Sequence, residues 1–366
     1  MATPEQVYAQ DAAIVSELAE RVLGRRPIQV ERMAAGLGRR RFLRLSFEEG
    51  RPAHLVARIE DDGALPAPSS DPPPPAWLPE PALEPIRSFL EKAGLPVPRS
   101  YGHFPDRGID LLEDVGSRTL ASAQGSDQQR LYREACDHIV RLQALSAAPA
   151  EVPAFGRRFD HALIASKAWK WLHWTLPLLG GRPATAGEQQ DTEHLFERLG
   201  ALVLDAPMRL SHRDFKAENL HWPAQPRPGS PSELVLIDVQ GAFLAPPEYD
   251  LVCLLDDLQL GLAPELVEAC LEATRPRLPD RPDPEVFRLR FDALAVMRLC
   301  KDVSHVIHAA RVRGDARRWH EVPRGLSLLE EALQRLEGPF PEARALSSVI
   351  HALTCSLGKT DSPAGK

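Results

Sequence analysis

A chain of 366 residues is long for one ordinary domain and suits two, or one enzyme built from two lobes. Apolar residues make up 43% and charged residues 26%, which excludes a largely disordered or fibrous chain. Forty-four Lys and Arg against 51 Asp and Glu leave a formal charge of −7, opposite in sign to the basic face of a nucleic-acid binder, so no nucleic-acid partner is expected.

The opening residues MATPEQVYAQDAA contain neither the basic stretch nor the apolar core of a signal peptide. No apolar run reaches the roughly 18 residues of a spanning helix, so no membrane partner is expected and the cytoplasm is the expected compartment. Pro4 to Leu23 reads as an amphipathic helix, with Val7, Ile14, Leu18 and Val22 on one stripe and Asp11 its polar break. Three β-like runs follow at Ile28–Met33, Arg41–Phe47 and His54–Ile59, and tight turns between them predict an antiparallel sheet. Ala64 to Pro81 is proline-rich and predicts a surface loop. A helix is expected over Ala82–Ala93, extended chain over Leu95–Pro98 and a strand over Gly108–Glu113.

Beyond Glu113 the pattern turns helical, which predicts lobes at 1–113 and 114–355 and a flexible tail at 356–366. Helices are expected over Gln128–Ser146, Asp160–Leu179, Thr192–Leu204, Tyr249–Gly261, Ala263–Thr274, Pro284–Arg313 and Leu326–Leu336. A loop-and-hairpin region separates the third from the fourth. In the second of these helices Trp171 and Trp174 are predicted to share a face, with Trp169 pointing elsewhere. The five Cys are scattered, without a CxxC pair, and predict buried reduced thiols.

The chemistry concentrates in His212-Arg213-Asp214-Phe215-Lys216-Ala217-Glu218-Asn219, followed after an apolar run by Asp238. Phosphoryl transfer needs one carboxylate at the acceptor hydroxyl and hard oxygen ligands for Mg²⁺ on the phosphates. The reach from Asp214 to Asn219 is one compact loop, so Asp214 can face the acceptor while Asn219 offers its amide oxygen to the metal. Asp238 then supplies a second metal ligand, and His212 orients the loop.

Together with Pro246-Pro247-Glu248-Tyr249-Asp250-Leu251, these motifs resemble the aminoglycoside phosphotransferase and choline kinase-like superfamily, and within it the bacterial N-acetylmuramate/N-acetylglucosamine anomeric kinases. The resemblance runs from about Asp11 to Leu336. It implies an α+β, bilobal protein-kinase-like fold, with an antiparallel sheet and helix in the small lobe and a mostly helical large lobe. It also implies Mg²⁺-ATP and a small-molecule hydroxyl acceptor, first of all an N-acetylhexosamine sugar. Gly36, Gly38 and Arg41 then correspond to the loop over the ATP phosphates, and Arg58 to the third-strand lysine, with Glu84 as its ion-pair partner and Glu80 as runner-up. Glu113 and Val115 fall in the segment whose backbone would bind the adenine edge. Asp250 would support the catalytic loop, and a basic residue on the helix carrying Arg298 and Lys301 matches the sugar-kinase branch.

One departure stands out: Asp238-Val239-Gln240-Gly241-Ala242 has Gly241 where those kinases tend to carry a carboxylate, which weakens the sugar assignment. Two alternatives remain open. One is an aminoglycoside or amino-alcohol phosphotransferase, for which Asp256, Asp257 and Glu248 are few acidic candidates. The other is a non-catalytic ligand-binding protein of the same fold, motivated by Arg58. His305 and His308 lack a clear third partner for a metal. The sequence leaves the oligomeric state open.

Overall fold

The computed structural model describes residues 3–33, 40–60, 81–225, 227 and 229–357. Gly36 and Gly38, and all of the proline-rich loop except Pro81, lie outside the described residues, as does the tail from residue 358. The chain divides into two compact units, one from Met1–Ala67, Arg87–Thr119 and His221–Ile237, the other from the remainder. The first therefore extends beyond Glu113 and takes back a segment from much later in the chain, which a single cut after Glu113 does not describe.

The first unit opens with α1 (Pro4–Leu23), followed by β1 (Gln29–Arg32), β2 (Arg41–Ser46), β3 (His54–Ile59), α2 (Ile86–Lys92), β4 (Ser100–Phe104) and β5 (Ile109–Glu113). α1 starts in a capping box, in which Thr3 and Gln6 exchange backbone and side-chain hydrogen bonds, and stops at left-handed Gly24, φ 70°. The five strands form one antiparallel sheet in the order β1-β2-β3-β5-β4. Val15, Leu18 and Ala19 of α1 bury against Leu43, Leu45, Leu55, Ala57 and Leu111 of that sheet. β4 was not anticipated. It is a half-exposed edge strand containing Ser100 and Gly102, so it lacks the apolar alternation that marks a strand in sequence.

The second unit is helical: α3 (Gly125–Gln143), α4 (His161–Lys170), α5 (Leu176–Gly180) and α6 (Ala186–Leu204) precede β6 (Arg209–Ser211). Next in the chain comes the short ladder of β7 (Leu220–His221) with β8 (Val235–Leu236), of which all but Leu220 belongs to the first unit, and then β9 (Phe243–Ala245), which pairs with β6. α7 (Tyr249–Leu255), α8 (Pro264–Thr274), α9 (Pro284–Val312), α10 (Val322–Leu336) and α11 (Ala343–Leu357) complete it. α9 is the central helix, packed on α4, α6, α7 and α10 and buried along most of its length. α11 lies partly in the segment read as tail, and its amphipathic pattern was missed.

The helix expected over Asp160–Leu179 is interrupted. Residues Trp171–Thr175 form a π turn in which Leu176 N donates to Trp171 O, five residues back. Pro177, which has no N–H, follows directly, and Thr175 Oγ1 bonds Ser304 Oγ of α9 at 2.8 Å. The wide turn corrects the tryptophan prediction. Residues five apart stand about 140° apart on an α-helix. Here Trp169 and Trp174 meet edge to face at 5.7 Å, and Trp171 is fully buried.

Candidate active site

β6 pairs antiparallel with β9, Leu210 opposite Leu244, and delivers the 212–219 loop from a fixed edge. Arg213 takes a left-handed φ of 83°, which a non-glycine residue holds only when its surroundings enforce it. Asp250, fully buried in the first turn of α7, does so. Its carboxylate accepts His212 N at 2.7 Å and Arg213 N at 3.1 Å. Burial pushes the Asp250 carboxyl up to about 6, against the opposing pull of His212 and the two amides. The His212 ring is buried and packs edge-on against Phe215 at 5.6 Å. The supporting role read for Asp250 matches these hydrogen bonds.

Lys216 N and Asn219 Nδ2 both donate to Asp214 O, at 2.9 and 2.8 Å. With its Nδ2 engaged there, the Asn219 amide turns its oxygen away from that carbonyl. Asp238 also has a left-handed φ, 62°, and its Oδ1 accepts Gln240 Nε2 at 2.6 Å. Two hard oxygen donors, each held by a hydrogen bond, are of the kind a small divalent cation takes alongside phosphate and water. Among the described residues, no group of three or more His, Cys, Asp and Glu could hold a metal unaided.

The electrostatics around Asp214 were only partly legible. Burial alone would raise its pKa, but the positive charges of Lys301, Arg298 and Arg213 outweigh burial and hold it below the usual carboxylate range. Arg298 is not on a solvated helix face: it is 7% exposed, its Nε 3.2 Å from Asp302, whose other oxygen lies 2.6 Å from Lys301 Nζ. Lys167 and Lys170 of α4 are buried close enough to Lys301 that burial, then its charge, lowers the pKa of each, and sequence reading missed both. His305 and His308 pack on Trp174, with ring centroids at 5.4 and 4.2 Å.

In the first unit, Arg58, Arg41 and Glu113 of the residues expected at the nucleotide are engaged by partners in that same unit. Arg58 is buried and pairs with Asp110 at 2.9 Å and Glu60 at 2.5 Å. The expected ion pair with Glu84 is corrected by these contacts: α2 begins at Ile86, so Glu84 precedes the helix, and the neighbouring strand supplies the carboxylate instead. Arg41 forks onto Asp11 of α1 at 2.6 and 3.2 Å, which explains the polar break in that helix's apolar stripe. Glu113 receives Arg227 at 2.5 and 3.0 Å, and Val115 is buried. Arg118 lies 3.6 Å over the Trp222 ring and donates to Trp222 O at 2.9 Å.

The sequence model of the phosphotransferase enzyme family matches residues 29–289. The chain belongs to that family. The phosphotransferase is 26% identical over 289 residues to the N-acetylmuramate/N-acetylglucosamine kinase of Pseudomonas aeruginosa, covering 77% of this chain and 80% of that one. Its fold is similar to choline kinase LicA from Streptococcus pneumoniae, TM-score 0.57 at 14% identity, over 88% of this chain and 99% of the other. It is also similar to a mutant aminoglycoside 2'-phosphotransferase-IIIa, TM-score 0.56 at 15% identity, over 89% and 98%. The five-stranded antiparallel sheet and the helical second unit are thus those of the protein-kinase-like phosphotransferases. Among the described residues no helix is long and apolar enough to cross a membrane.

Proposed function

We propose that the phosphotransferase moves the γ-phosphoryl group of ATP to a hydroxyl of an N-acetylhexosamine, N-acetylmuramate or N-acetylglucosamine. The observation that carries this reading is the loop in which Asp250 fixes His212 and Arg213 while Asn219 is tied to the Asp214 carbonyl. The kinase from Pseudomonas aeruginosa supports the acceptor class. Asp214 orients the acceptor hydroxyl and takes its proton as the oxygen bonds to the γ-phosphorus and ADP leaves. Held ionised by Lys301, Arg298 and Arg213, it is a weak base, suited to accepting a proton late in the transfer. Asn219 and Asp238 would hold Mg²⁺, which supplies charge neutralisation at the phosphates. Lysine and arginine around Asp214 are the wrong sign for a polycationic acceptor, and Glu248 and Asp257 are buried rather than lining an acidic pocket.

The test is ATP consumption with Mg²⁺ across N-acetylmuramate, N-acetylglucosamine, kanamycin and choline, using wild type and Asp214→Asn. Turnover of an N-acetyl sugar is expected, falling about 10²–10⁴-fold in the variant while ATP still binds. Kanamycin or choline outpacing both sugars, or near-normal turnover by Asp214→Asn, would overturn the reading.

A further inference from the structure

Buried charge crowds the proposed acceptor site. α9 brings Arg298 and Lys301, α4 brings Lys170 and the loop brings Arg213, while Asp214, Asp250, Asp257 and Asp302 are carboxylates that act on the cluster. Asp302 is divided between Arg298 Nε and Lys301 Nζ. Arg298 Nη1 is buried and has no hydrogen-bond partner among the described residues. Trp174 Nε1, on the π turn beside Lys170, is also buried without one. Burial, then the charge of Lys301, push Lys170 down to about 8, the signature of a cation short of counter-charge. Unpaired buried donors beside crowded cations are a combination that an anion would satisfy.

We propose that Arg298, Lys301 and Lys170 receive an anionic group of the acceptor, so that the enzyme selects a carboxylate-bearing sugar over its neutral counterpart. The inference rests on the kinase reading above and narrows it. N-acetylmuramate differs from N-acetylglucosamine by a lactyl ether that ends in a carboxylate. The planar guanidinium of Arg298 suits a carboxylate through Nη1, and the ammonium groups add unshaped attraction. The same charges repel a cationic acceptor, so the cluster both attracts and excludes. It also accounts for the missing carboxylate at Gly241: acidity there would oppose an anionic substrate.

The experiment measures kcat/KM with Mg²⁺-ATP for N-acetylmuramate, its methyl ester and N-acetylglucosamine, in wild type, Lys301→Gln and Arg298→Gln. Wild type is expected to favour the free acid over its ester by at least tenfold. In Lys301→Gln that ratio is expected to fall to about threefold or less. The ratio cancels any effect of the variant on Asp214 itself. Equal use of acid and ester by wild type overturns this inference and leaves the kinase reading standing. A variant that lowers both substrates in proportion, with the ratio intact, also overturns it, since the cations then act on the phosphoryl group. If no N-acetyl sugar turns over while another acceptor does, the kinase reading falls and takes this inference with it. Should Arg298→Gln fail to fold, the Lys301→Gln ratio decides alone.

Discussion

Asp250 spends both carboxylate oxygens on backbone amides, and that makes the 212–219 loop sensitive to its protonation. Its pKa, raised to about 6, means that the carboxylate form dominates at neutral pH and is lost as pH falls through that value. A protonated carboxyl accepts less well, and the strained Arg213 loses part of its restraint. Turnover is expected to fall on the acid side near pH 6. Asp250→Asn is expected to be low and flat between pH 5 and 8, and steady-state kcat across that range checks it. Glu248 gives the opposite stability experiment. It is fully buried, both oxygens lack partners among the described residues, and burial raises its pKa to about 7. A carboxyl raised in the folded state contributes most below its unfolded value near 4.5, and that contribution is lost as pH rises through 7. Glu248→Gln removes the ionisation, so it is expected to raise Tm relative to wild type by a few degrees at pH 8.5 and to change it less at pH 5.5. At this scale the sequence showed the loop motif well, because its residue types and spacing are set by reaction geometry. It did not show the partners of Arg58, because Asp110 becomes its neighbour only through the β3–β5 register.

Among the elements, the helices were the easiest to read, and their ends and interruptions the hardest. α1 and β3 match the sequence pattern residue for residue, since a capping box and a branched apolar run mark them locally. The π turn at Trp171–Thr175 has no comparable local mark other than Pro177, so tryptophans that an α-helix would separate were not paired. The Trp169–Trp174 contact is expected to be worth roughly 0.5–1.5 kcal/mol beyond burial. A double-mutant cycle with Trp169→Leu and Trp174→Leu, read by chemical denaturation, measures it, and strict additivity would mean the rings merely sit close. Lys167 and Lys170 escaped notice for a related reason. On a helical wheel they are ordinary polar positions, and only packing of α4 on α9 turns them toward buried charge.

For the molecule as a whole, composition and the helical shift after Glu113 announced two parts, but not their interleaving. Residues 221–237 rejoin the first unit through Trp222 N to Arg118 O at 2.8 Å, Leu236 N to Pro96 O at 2.7 Å, and the Arg227–Glu113 pair. None of these partners is near in sequence, so no periodicity could reveal them. Arg227 is 10% exposed at its side chain, and Arg227→Ala leaves the Glu113 carboxylate without its guanidinium. A loss of about 1–3 kcal/mol in unfolding free energy is expected, checked by urea denaturation at neutral pH.

That returning segment also sets a timetable. The first unit lacks its last piece until Ile237 has been synthesised, 118 residues after Thr119. At about 5–20 residues per second, that is a delay on the order of ten seconds. Throughout it the sheet is complete in strands but unclosed along Pro96 and Glu113, with Leu236 and Arg227 still to arrive. Much of the second unit emerges during the same interval, so a nascent chain must build the two units side by side rather than one after the other.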